Sequence, residues 1–205
     1  MFSRFYARIS PQLEAEGMAA LRKELLDGLT GDVVEVGAGN GLNFAHYPST
    51  VRDVQAVEPE PYLRSLATRA APSAPVPVTV RGGTADRLPL PDDSVDAAVL
   101  CLVMCSLDDR KAALDELRRV LRPRGTLRFL EHTLAETPGL RLAQRVADAT
   151  VWPLLAGGCH TATDPAGAIT AAGFEIMSIR RLRFPENRFT QPSSPHVLGS
   201  AELVG

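Results

Sequence analysis

Two observations predict an α/β fold with a mainly parallel sheet. Short apolar segments rich in β-branched residues alternate with segments in which apolar residues recur at helical spacing. One apolar segment, residues 95–101, is continuous, which is typical of a strand that is covered on both faces. The chain has 205 residues, of which 45% are hydrophobic and 22% charged. This is enough for one compact domain and excludes a disordered or fibrous protein.

The predicted elements follow one another in this alternating order. Leucines at helical spacing predict a helix over residues 11–29, with Gly17 as its weak point. Pro123 and Gly125 are expected to separate the last predicted helix from the strand that follows it. The predicted strands cover residues 32–36, 54–57, 76–80, 95–101 and 126–130, and the remaining predicted helices cover 61–70 and 109–121.

The charge balance and the cysteines restrict the class of partner and the compartment. Lys and Arg total 22 and Asp and Glu total 24, which gives a net charge of −2. A protein that binds nucleic acid through phosphates usually has a basic surplus, so we expect no nucleic-acid partner.

Three cysteines without the spacing of a disulfide framework favour the reducing cytoplasm. The longest apolar run, residues 97–105, is too short to span a bilayer, so we expect no stable membrane insertion. The oligomeric state is left open.

A glycine-rich loop follows the first predicted strand. It contains Gly37, Gly39 and Gly41, and glycines at this place allow a tight turn and the close approach of a ligand. The dinucleotide fingerprint G-x-G-x-x-G needs its third glycine at position 42, where this chain has Leu42. A nicotinamide-dependent oxidoreductase is therefore disfavoured, while a purely structural turn remains the alternative.

An acidic residue ends the second predicted strand. Glu58 lies 21 residues after Gly37, and an acid at about that distance accepts the ribose hydroxyls of a nucleotide cofactor at the switch point of a doubly wound sheet. The alternative is a surface glutamate at a strand end. The loop, the strand and the acid together favour a cofactor site.

Four segments resemble the class I S-adenosylmethionine-dependent methyltransferases, in that family's order and spacing. They are VVEVGAGNG at 33–41, AVEPE at 56–60, GGTADRLPLPDDSVDAAV at 82–99 and ELRRVLRPRGTLRFLEH at 116–132. The last two are similar to the branch that contains the ubiquinone and menaquinone biosynthetic methyltransferases. Shorter segments resemble the thiol S-methyltransferases of the methyltransferase-like group and their bacterial relatives. These are GLNFAHYP at 41–48, LVMCSLDD at 102–109, FLEHT at 129–133, GGCHTATD at 157–164 and PHVLGSA at 195–201.

The resemblance implies a doubly wound sheet of seven strands, mostly parallel, with the last strand antiparallel. We expect a single methyltransferase domain over residues 1–205. Residues 1–30 would form an N-terminal helical cap, residues 31–131 would bind the cofactor, and residues 132–205 would supply the acceptor pocket. S-adenosylmethionine is the implied cofactor, S-adenosylhomocysteine its product, and no metal is expected.

The resemblance also implies the cofactor-binding residues. The glycines line the methionine and ribose part, Glu35 lies near the α-amino group, and Glu58 holds the ribose. Cys101 is expected to be a small wall residue rather than a nucleophile. The implied cofactor residues are Glu35, Gly37, Gly39, Gly41, Asn43, Glu58, Thr84, Ala85, Asp86, Cys101 and Leu102.

Two questions about the cofactor site stay open at the level of sequence. Either Thr84 or Asp86 accepts from the exocyclic amine of adenine, and Ala85 can offer its backbone N–H in both cases. Three residues near the N-terminus are candidates either for closing the pocket or for ordinary core packing. They are Phe5, Tyr6 and Met18.

Candidate acceptor-side residues follow the fifth predicted strand. His132 is a candidate base or acceptor-orienting residue, with hydrogen-bonded packing as the alternative, and Asp148 and His160 complete the candidate catalytic set. Cys159 and His160 are not expected to form a zinc site, because no second pair of residues has ligand spacing. Glu131, Trp152 and Cys159 are further candidates in the same segments.

The predicted function is methyl transfer from S-adenosylmethionine to a small, fairly apolar acceptor. A thiol or hydrosulfide is the first candidate, on the narrower resemblance, and a thiol needs little base catalysis because part of it is already thiolate at neutral pH. The alternatives are methylation of oxygen or carbon in a phenol, quinol or lipid-like metabolite, and a non-catalytic cofactor-binding module. The 74 residues after Glu131 leave no room for a separate substrate domain, which favours a small acceptor.

Overall fold

A computed structural model describes residues 2–186 and 191–204. Residues 1, 187–190 and 205, which belong to the predicted regions 1–30 and 132–205, lie outside the described part. The strands are β1 (Gly31–Val36), β2 (Val51–Val57), β3 (Val78–Arg81), β4 (Val95–Cys101), β5 (Leu121–His132), β6 (Phe174–Arg183) and β7 (Pro195–Leu203). The α-helices are α1 (Phe2–Leu13), α2 (Ala19–Leu26), α3 (Pro61–Ala70), α4 (Arg110–Val120), α5 (Pro138–Asp148), α6 (Trp152–Leu155) and α7 (Pro165–Ala171). Within the described ranges, no helix combines the length and the apolar character that crossing a bilayer requires.

The seven strands form one sheet in the order β3-β2-β1-β4-β5-β7-β6. Strands β1 to β5 pair in parallel, whereas β7 runs antiparallel to both of its neighbours, β5 and β6. The predicted seven-stranded, mostly parallel sheet with an antiparallel last strand is therefore confirmed.

Both faces of the sheet are covered by helices. Successive side chains of a strand point to opposite faces, so Val34 of β1 packs in one buried cluster with Leu114 of α4. Its neighbour Val33 packs in a second cluster, with Leu25 of α2 and Ala67 of α3. Because helices cover both faces of the sheet, a ligand can reach the sheet only at the ends of the strands, where the predicted glycine loop and Glu58 are located.

The structure differs from the sequence prediction at the N-terminus and at β5. Two helices, α1 and α2, replace the single helix predicted over residues 11–29. Helix α1 begins at Phe2 and contains Pro11, and a π-helical turn at Glu14–Met18 separates it from α2. Gly17 in that turn has a φ of +118°, which kinks the chain. Strand β5 begins at Leu121 instead of residue 126, because a shift in its pairing with β4 accommodates the residues that separate α4 from the rest of the strand.

Candidate active site

The strand order reverses between β1 and β4, which places a crevice at the carboxyl ends of these two strands. Ligands of doubly wound sheets bind outside the strands at such a reversal. The loop after β1 starts at Gly37, and the loop after β4 contains Val103. An added Cβ on Gly37 would lie 2.6 Å from Cγ2 of Val103, so the two loops are in direct contact.

The glycines of the first loop have conformations that other residues avoid. Gly37 and Gly41 have φ values of +68° and +82°. The amide N of Gly37 donates to the carbonyl oxygen of Val57 at 2.8 Å, which joins the loop to the end of β2. A Cβ on Gly41 would lie 2.7 Å from the ring of Phe44. The glycine pattern therefore specifies a tight loop that connects the carboxyl ends of β1 and β2.

Glu58 follows β2 and is linked to the glycine loop. Its Oε2 accepts from the backbone N of Gly39 at 2.8 Å, and its Oε1 accepts from the backbone N of Glu60 at 2.9 Å. Glu58 is 5% exposed, and burial raises its pKa although both hydrogen bonds act in the opposite direction. Each carboxylate oxygen can accept a second hydrogen bond, so Glu58 keeps acceptor capacity for hydroxyl groups.

Glu35 lies beneath the loop on the β1 face that α2 covers. Its Oε1 accepts from Nδ2 of Asn43 at 2.9 Å, and its Oε2 accepts from the Tyr47 hydroxyl at 2.7 Å. Complete burial raises the pKa of Glu35 to about 7, against the effect of these two hydrogen bonds. Glu35 thus holds the segment that follows the glycine loop. Its predicted contact with the amino group of the cofactor stays a prediction.

Arg22 of α2 completes this buried network, and sequence analysis missed it. Its Nη1 donates to Oδ1 of Asn43 at 2.8 Å and to Sγ of Cys101 at 3.3 Å, and its Nε donates to Oε1 of Glu14 at 2.9 Å. Arg22 is 5% exposed. The local pattern gives no signal for this role, because charged residues of an amphipathic helix are expected to face solvent.

Helix α1 reaches from the glycine loop to the loop at Gly157, which belongs to the region predicted to supply the acceptor pocket. A Cβ on Gly39 would lie 3.7 Å from Cε1 of Tyr6, so the tyrosine ring lies against the glycine loop. Phe2, which stacks on Tyr6 with ring centroids 5.9 Å apart, leaves no space for a side chain at Gly157. The N-terminal helix therefore contacts both the glycine loop and the acceptor-side loop.

The three N-terminal candidates have different environments. Tyr6 covers the glycine loop, whereas Phe5 is 55% exposed and Met18 is buried in the core with α2. One more bond fixes α1 in place, since Nδ2 of Asn40 donates to Oγ of Ser10 at 3.0 Å. Of the three residues, only Tyr6 has the position expected for a group that closes the pocket.

The predicted adenine-reading residues form a tight turn after β3. The backbone N of Arg87 donates to the carbonyl oxygen of Thr84 at 3.1 Å, which places Ala85 and Asp86 at the corners. Ala85 packs against the core, while the side chains of Thr84 and Asp86 are both exposed. Either Thr84 or Asp86 can therefore accept from the exocyclic amine of adenine, and the choice between them stays a prediction.

The end of β4 supplies one wall of the crevice. Burial raises the pKa of the Cys101 thiol to about 11, so it is protonated at neutral pH, which argues against a nucleophile. Leu102 has a φ of +60°, and its backbone N donates to the carbonyl oxygen of Leu130 at 2.8 Å. A leucine in the left-handed region is strained, and such strain is typical of functional sites.

The end of β5 brings a histidine to two cysteines. Nδ1 of His132 lies 3.6 Å from Sγ of Cys159, and Cys105 from the loop after β4 completes a group whose ligand atoms all lie within 4.8 Å of one another. His132 also pairs across the strands with buried His196, the ring centroids being 4.5 Å apart. Burial lowers the pKa of His196 to about 3, so that ring is neutral. Sequence analysis missed Cys105 and His196 because their partners are distant along the chain.

The structure gives the two other candidate catalytic residues local roles. Oδ1 of Asp148 accepts from the backbone N of Thr161 at 2.7 Å, and its Oδ2 accepts from the backbone N of Ala162 at 2.8 Å. Asp148 therefore holds the loop that carries Cys159. His160 is exposed, and its ring nitrogen Nδ1 contacts the carbonyl oxygen of Gly158 at 2.9 Å. The catalytic assignments of His132, Asp148 and His160 stay predictions.

The comparisons with known proteins agree on a family. The family model of the methyltransferase domain matches residues 34–129. The human thiol S-methyltransferase TMT1A is 30% identical over 200 residues, which cover 91% of this chain and 80% of that protein. The chain belongs to the class I S-adenosylmethionine-dependent methyltransferases. The mouse thiol S-methyltransferase TMT1B is 34% identical over 182 residues, which cover 86% of this methyltransferase and 73% of its relative.

Solved structures support the same fold. A Thermotoga maritima protein described as an S-adenosylmethionine-dependent methyltransferase and possible histamine N-methyltransferase has a TM-score of 0.72 and 23% identity, with 98% of this chain and 97% of that one covered. The YcgJ protein of Bacillus subtilis has a TM-score of 0.71 and 18% identity, with coverage of 91% and 97%. These two likenesses concern the fold. The family model and the thiol S-methyltransferase relatives show that the chain is a methyltransferase enzyme, so the alternative of a nicotinamide-dependent oxidoreductase is not supported.

The residues at the switch point fit S-adenosylmethionine, the cofactor expected of this family. The glycine loop leaves no room for a Cβ at Gly37 or Gly41, and the buried carboxylate of Glu58 is the acceptor type that ribose hydroxyls require. Glu35 and Glu58 are both buried acids, which suits a cationic ligand. When bound, the cofactor supplies an electrophilic methyl group on a sulfonium.

Proposed function

We propose that this methyltransferase methylates the sulfur of a small thiol or hydrosulfide. The observation that carries the proposal is the identity of 30% to 34% with thiol S-methyltransferases over most of the chain. The end of β5 is consistent with it, since the imidazole of His132, the proposed acceptor-orienting residue, lies 3.6 Å from the sulfur of Cys159.

The proposed cofactor site is divided among four segments. The glycine loop and Glu58 hold the methionine and ribose part, and Glu58 also keeps Gly39 in place. The turn at residues 84–87 holds adenine, with Thr84 or Asp86 as the acceptor for its amine. Arg22 acts as a positioning residue, because it links Asn43 below the loop to Cys101 at the end of β4. We infer that α1 closes over this site through Tyr6.

The proposed reaction needs little from the protein beyond alignment and exclusion of water. The acceptor S–H gives up its proton, the sulfur lone pair forms the new bond to the methyl carbon, and the electron pair of the broken C–S bond returns to the departing sulfur. A thiol with an ordinary pKa near 8.5 is partly ionised at neutral pH. His132 is therefore proposed to orient the acceptor and to take up its proton.

The acceptor is proposed to be small, and the enzyme is proposed to be cytoplasmic. Residues after β5 supply α5 to α7, β6 and β7, and Asp148 of α5 fixes the loop at Thr161 and Ala162 through two hydrogen bonds. The three cysteines are free thiols, which fits a reducing compartment.

The test is a panel of acceptors with methyl-labelled S-adenosylmethionine. Alkyl thiols, aryl thiols and hydrosulfide are compared with phenols and quinols, and each product is identified by mass. Glu58→Ala serves as the matched control for cofactor-dependent turnover. The proposal predicts S-methyl products that need intact Glu58. Labelled ethers or ring-methylated quinols in the absence of any thioether would instead establish methylation of oxygen or carbon.

A further inference from the structure

Three potential metal ligands come together from distant parts of the sequence. Sγ of Cys105, a ring nitrogen of His132 and Sγ of Cys159 all lie within 4.8 Å of one another. Cys105 follows β4, His132 ends β5, and Cys159 lies in the loop between α6 and α7. Two sulfurs and one imidazole are ligands that Zn²⁺ prefers, whereas Mg²⁺ and Ca²⁺ prefer oxygen.

The separation of the nitrogen and one of the sulfurs is close to the spacing of ligands around zinc. Bond lengths of about 2.3 Å to sulfur and about 2.0 Å to nitrogen, at a tetrahedral angle, put the two ligand atoms about 3.5 Å apart. Nδ1 of His132 lies 3.6 Å from Sγ of Cys159. A cation could therefore bind between these atoms with little movement of the two side chains.

Two hydrogen bonds to backbone carbonyl oxygens connect the segments that carry the three ligands. The N–H of His160, next to Cys159, donates to the carbonyl oxygen of Cys105 at 2.8 Å. The hydroxyl of Thr163 donates to the carbonyl oxygen of His132 at 2.7 Å. The ligand positions are thus held by the fold, which reduces the entropy lost on binding.

Glu131 holds the segment that carries Cys105. Its Oε1 accepts from the backbone N of Val103 at 2.9 Å and from the backbone N of Met104 at 3.1 Å. Glu131 is fully buried. It is therefore a positioning residue for the loop after β4.

Polar groups lie beside both cysteine sulfurs. Oγ of Ser106 lies 3.6 Å from Sγ of Cys105, and Nε1 of Trp152 lies buried beside Cys159 without a hydrogen-bond acceptor in the described part of the chain. An indole N–H is a donor only, so a thiolate acceptor would satisfy it. Binding of a cation between the two sulfurs would displace their protons.

We propose that Cys105, His132 and Cys159 form a three-ligand site for a thiophilic divalent cation of the Zn²⁺ type, with a fourth coordination position left for an exogenous ligand. Two cysteines, one histidine and an open position are one of the ligand sets found in catalytic zinc sites. The sequence argued against a zinc site made of Cys159 and His160. The site proposed here is a different one, because it uses Cys105 and His132 and does not include His160.

The fourth position gives this site a role in acceptor binding, an inference that rests on the proposed thiol function. With a cation bound, His132 would orient the acceptor as a ligand and would not take up its proton. A thiol at the fourth position would instead release its proton to solvent and remain as a thiolate with a lone pair available for the methyl carbon. The thioether that forms from an organic thiol has no proton to lose and is a weaker, neutral ligand, so it would leave. This arrangement would select sulfur acceptors over phenols.

Cobalt binding tests the site without relying on activity. Protein freed of metal by a chelator and kept reduced is titrated with Co²⁺, and the expected result is one equivalent bound, with thiolate-to-metal charge-transfer and tetrahedral d–d absorption. Cys159→Ser and Cys105→Ser should each lose most of this absorption. Cys101→Ser is the matched control, since Cys101 contacts Arg22 instead, and should keep it. Addition of a small thiol to the cobalt protein should shift the bands.

Three results would overturn the proposal. They are the absence of stoichiometric Co²⁺ absorption in reduced protein, absorption that survives in Cys159→Ser, and bands that no thiol shifts. A disulfide between Cys105 and Cys159, seen as a mass lower by two hydrogens and resistant to mild reductant, would also contradict it. Thiol methylation by protein that binds no Co²⁺ would leave the proposed function intact, whereas Co²⁺ binding without thiol methylation would contradict the proposed function alone.

Discussion

The backbone N–H of Gly39 donates to Oε2 of Glu58 at 2.8 Å, so the two parts of the cofactor site that sequence spacing predicted are bonded to each other. The loop belongs to β1 and the acid to β2, and their strands are parallel neighbours. Cofactor binding is therefore expected to depend on Glu58 both through its own contacts and through the conformation of the loop.

Replacing Glu58 tests this dependence. Loss of a hydrogen bond to a charged group costs about 1.5–3 kcal/mol, so Glu58→Ala should weaken S-adenosylhomocysteine binding about 10- to 150-fold. Isothermal titration calorimetry measures the affinity. Glu175→Ala is the matched control, because Glu175 is an exposed acid on β6. An unchanged affinity in Glu58→Ala would remove this residue from the site.

A methyl group on Gly37 should damage the loop itself. Gly37 has a φ of +68°, and a Cβ would lie 2.6 Å from Val103, so Gly37→Ala should lower the free energy of unfolding by about 1–3 kcal/mol and weaken cofactor binding. Gly139→Ala is the control, since a Cβ there meets nothing within 4 Å. Urea unfolding measures the free energy of unfolding of both variants. Equal stability of the two would show that the loop adapts.

The buried cation of Arg22 should contribute strongly to stability. Arg22→Met leaves Glu14 and Asn43 without their donor, and removal of one partner of a buried ion pair costs about 3–5 kcal/mol. Arg52→Met is the control, because Arg52 pairs with Asp32 at the surface, where the loss is within about 1 kcal/mol. Denaturant unfolding that gives similar losses for both variants would contradict the account of Arg22.

The buried carboxyl of Glu35 should make stability fall as pH rises. Asn43, Tyr47, Arg22 and Glu58 surround it, and burial raises its pKa to about 7 from an ordinary value of 4.5. The folded state therefore binds more protons than the unfolded state between these pH values. The contribution of Glu35 is fully present below pH 4.5 and is lost as the pH rises to 7, with a slope of at most about 1.4 kcal/mol per pH unit.

Glu35→Gln isolates this contribution. The difference in unfolding free energy between the wild type and Glu35→Gln, measured at several pH values from 4.5 to 8, should decrease up to pH 7 and then level off. His196, whose depressed pKa acts in the opposite sense between pH 3 and 6.5, is present in both proteins and cancels from the difference. A difference that is flat with pH would mean that Glu35 has the same pKa in the folded and unfolded states.

Sequence predicted the features that depend on local order and missed those that depend on long-range packing. The glycine loop and Glu58 were found because backbone conformation and strand ends impose a fixed spacing. Arg22 was missed because only the packing of α2 on β1 buries it. Cys105 was missed for a related reason, since its partners at His132 and Cys159 are brought to it by strand order rather than by sequence proximity.

The errors in element boundaries lie at β5 and at the N-terminus. Strand β5 extends back to Leu121 because β4 offers a pairing partner on the other side of Pro123 and Gly125. Pro11 did not prevent helix formation, as α1 continues to Leu13 and the chain changes direction only at Gly17. A tertiary contact decided the start of β5. At the N-terminus the break at Gly17 agrees with the weak point that the sequence indicated, whereas the extension of α1 back to Phe2 was not predicted.

A direct competition between sulfur and oxygen tests the central claim of a thiol methyltransferase. An aryl thiol and the phenol of the same carbon skeleton are mixed in equal amounts with the enzyme and limiting S-adenosylmethionine, and the two methylated products are quantified by mass spectrometry. The account predicts that the thioether exceeds the ether at least about 10-fold, because a thiol ionises more readily than a phenol and sulfur is the stronger nucleophile. An ether formed in equal or greater amount would contradict it.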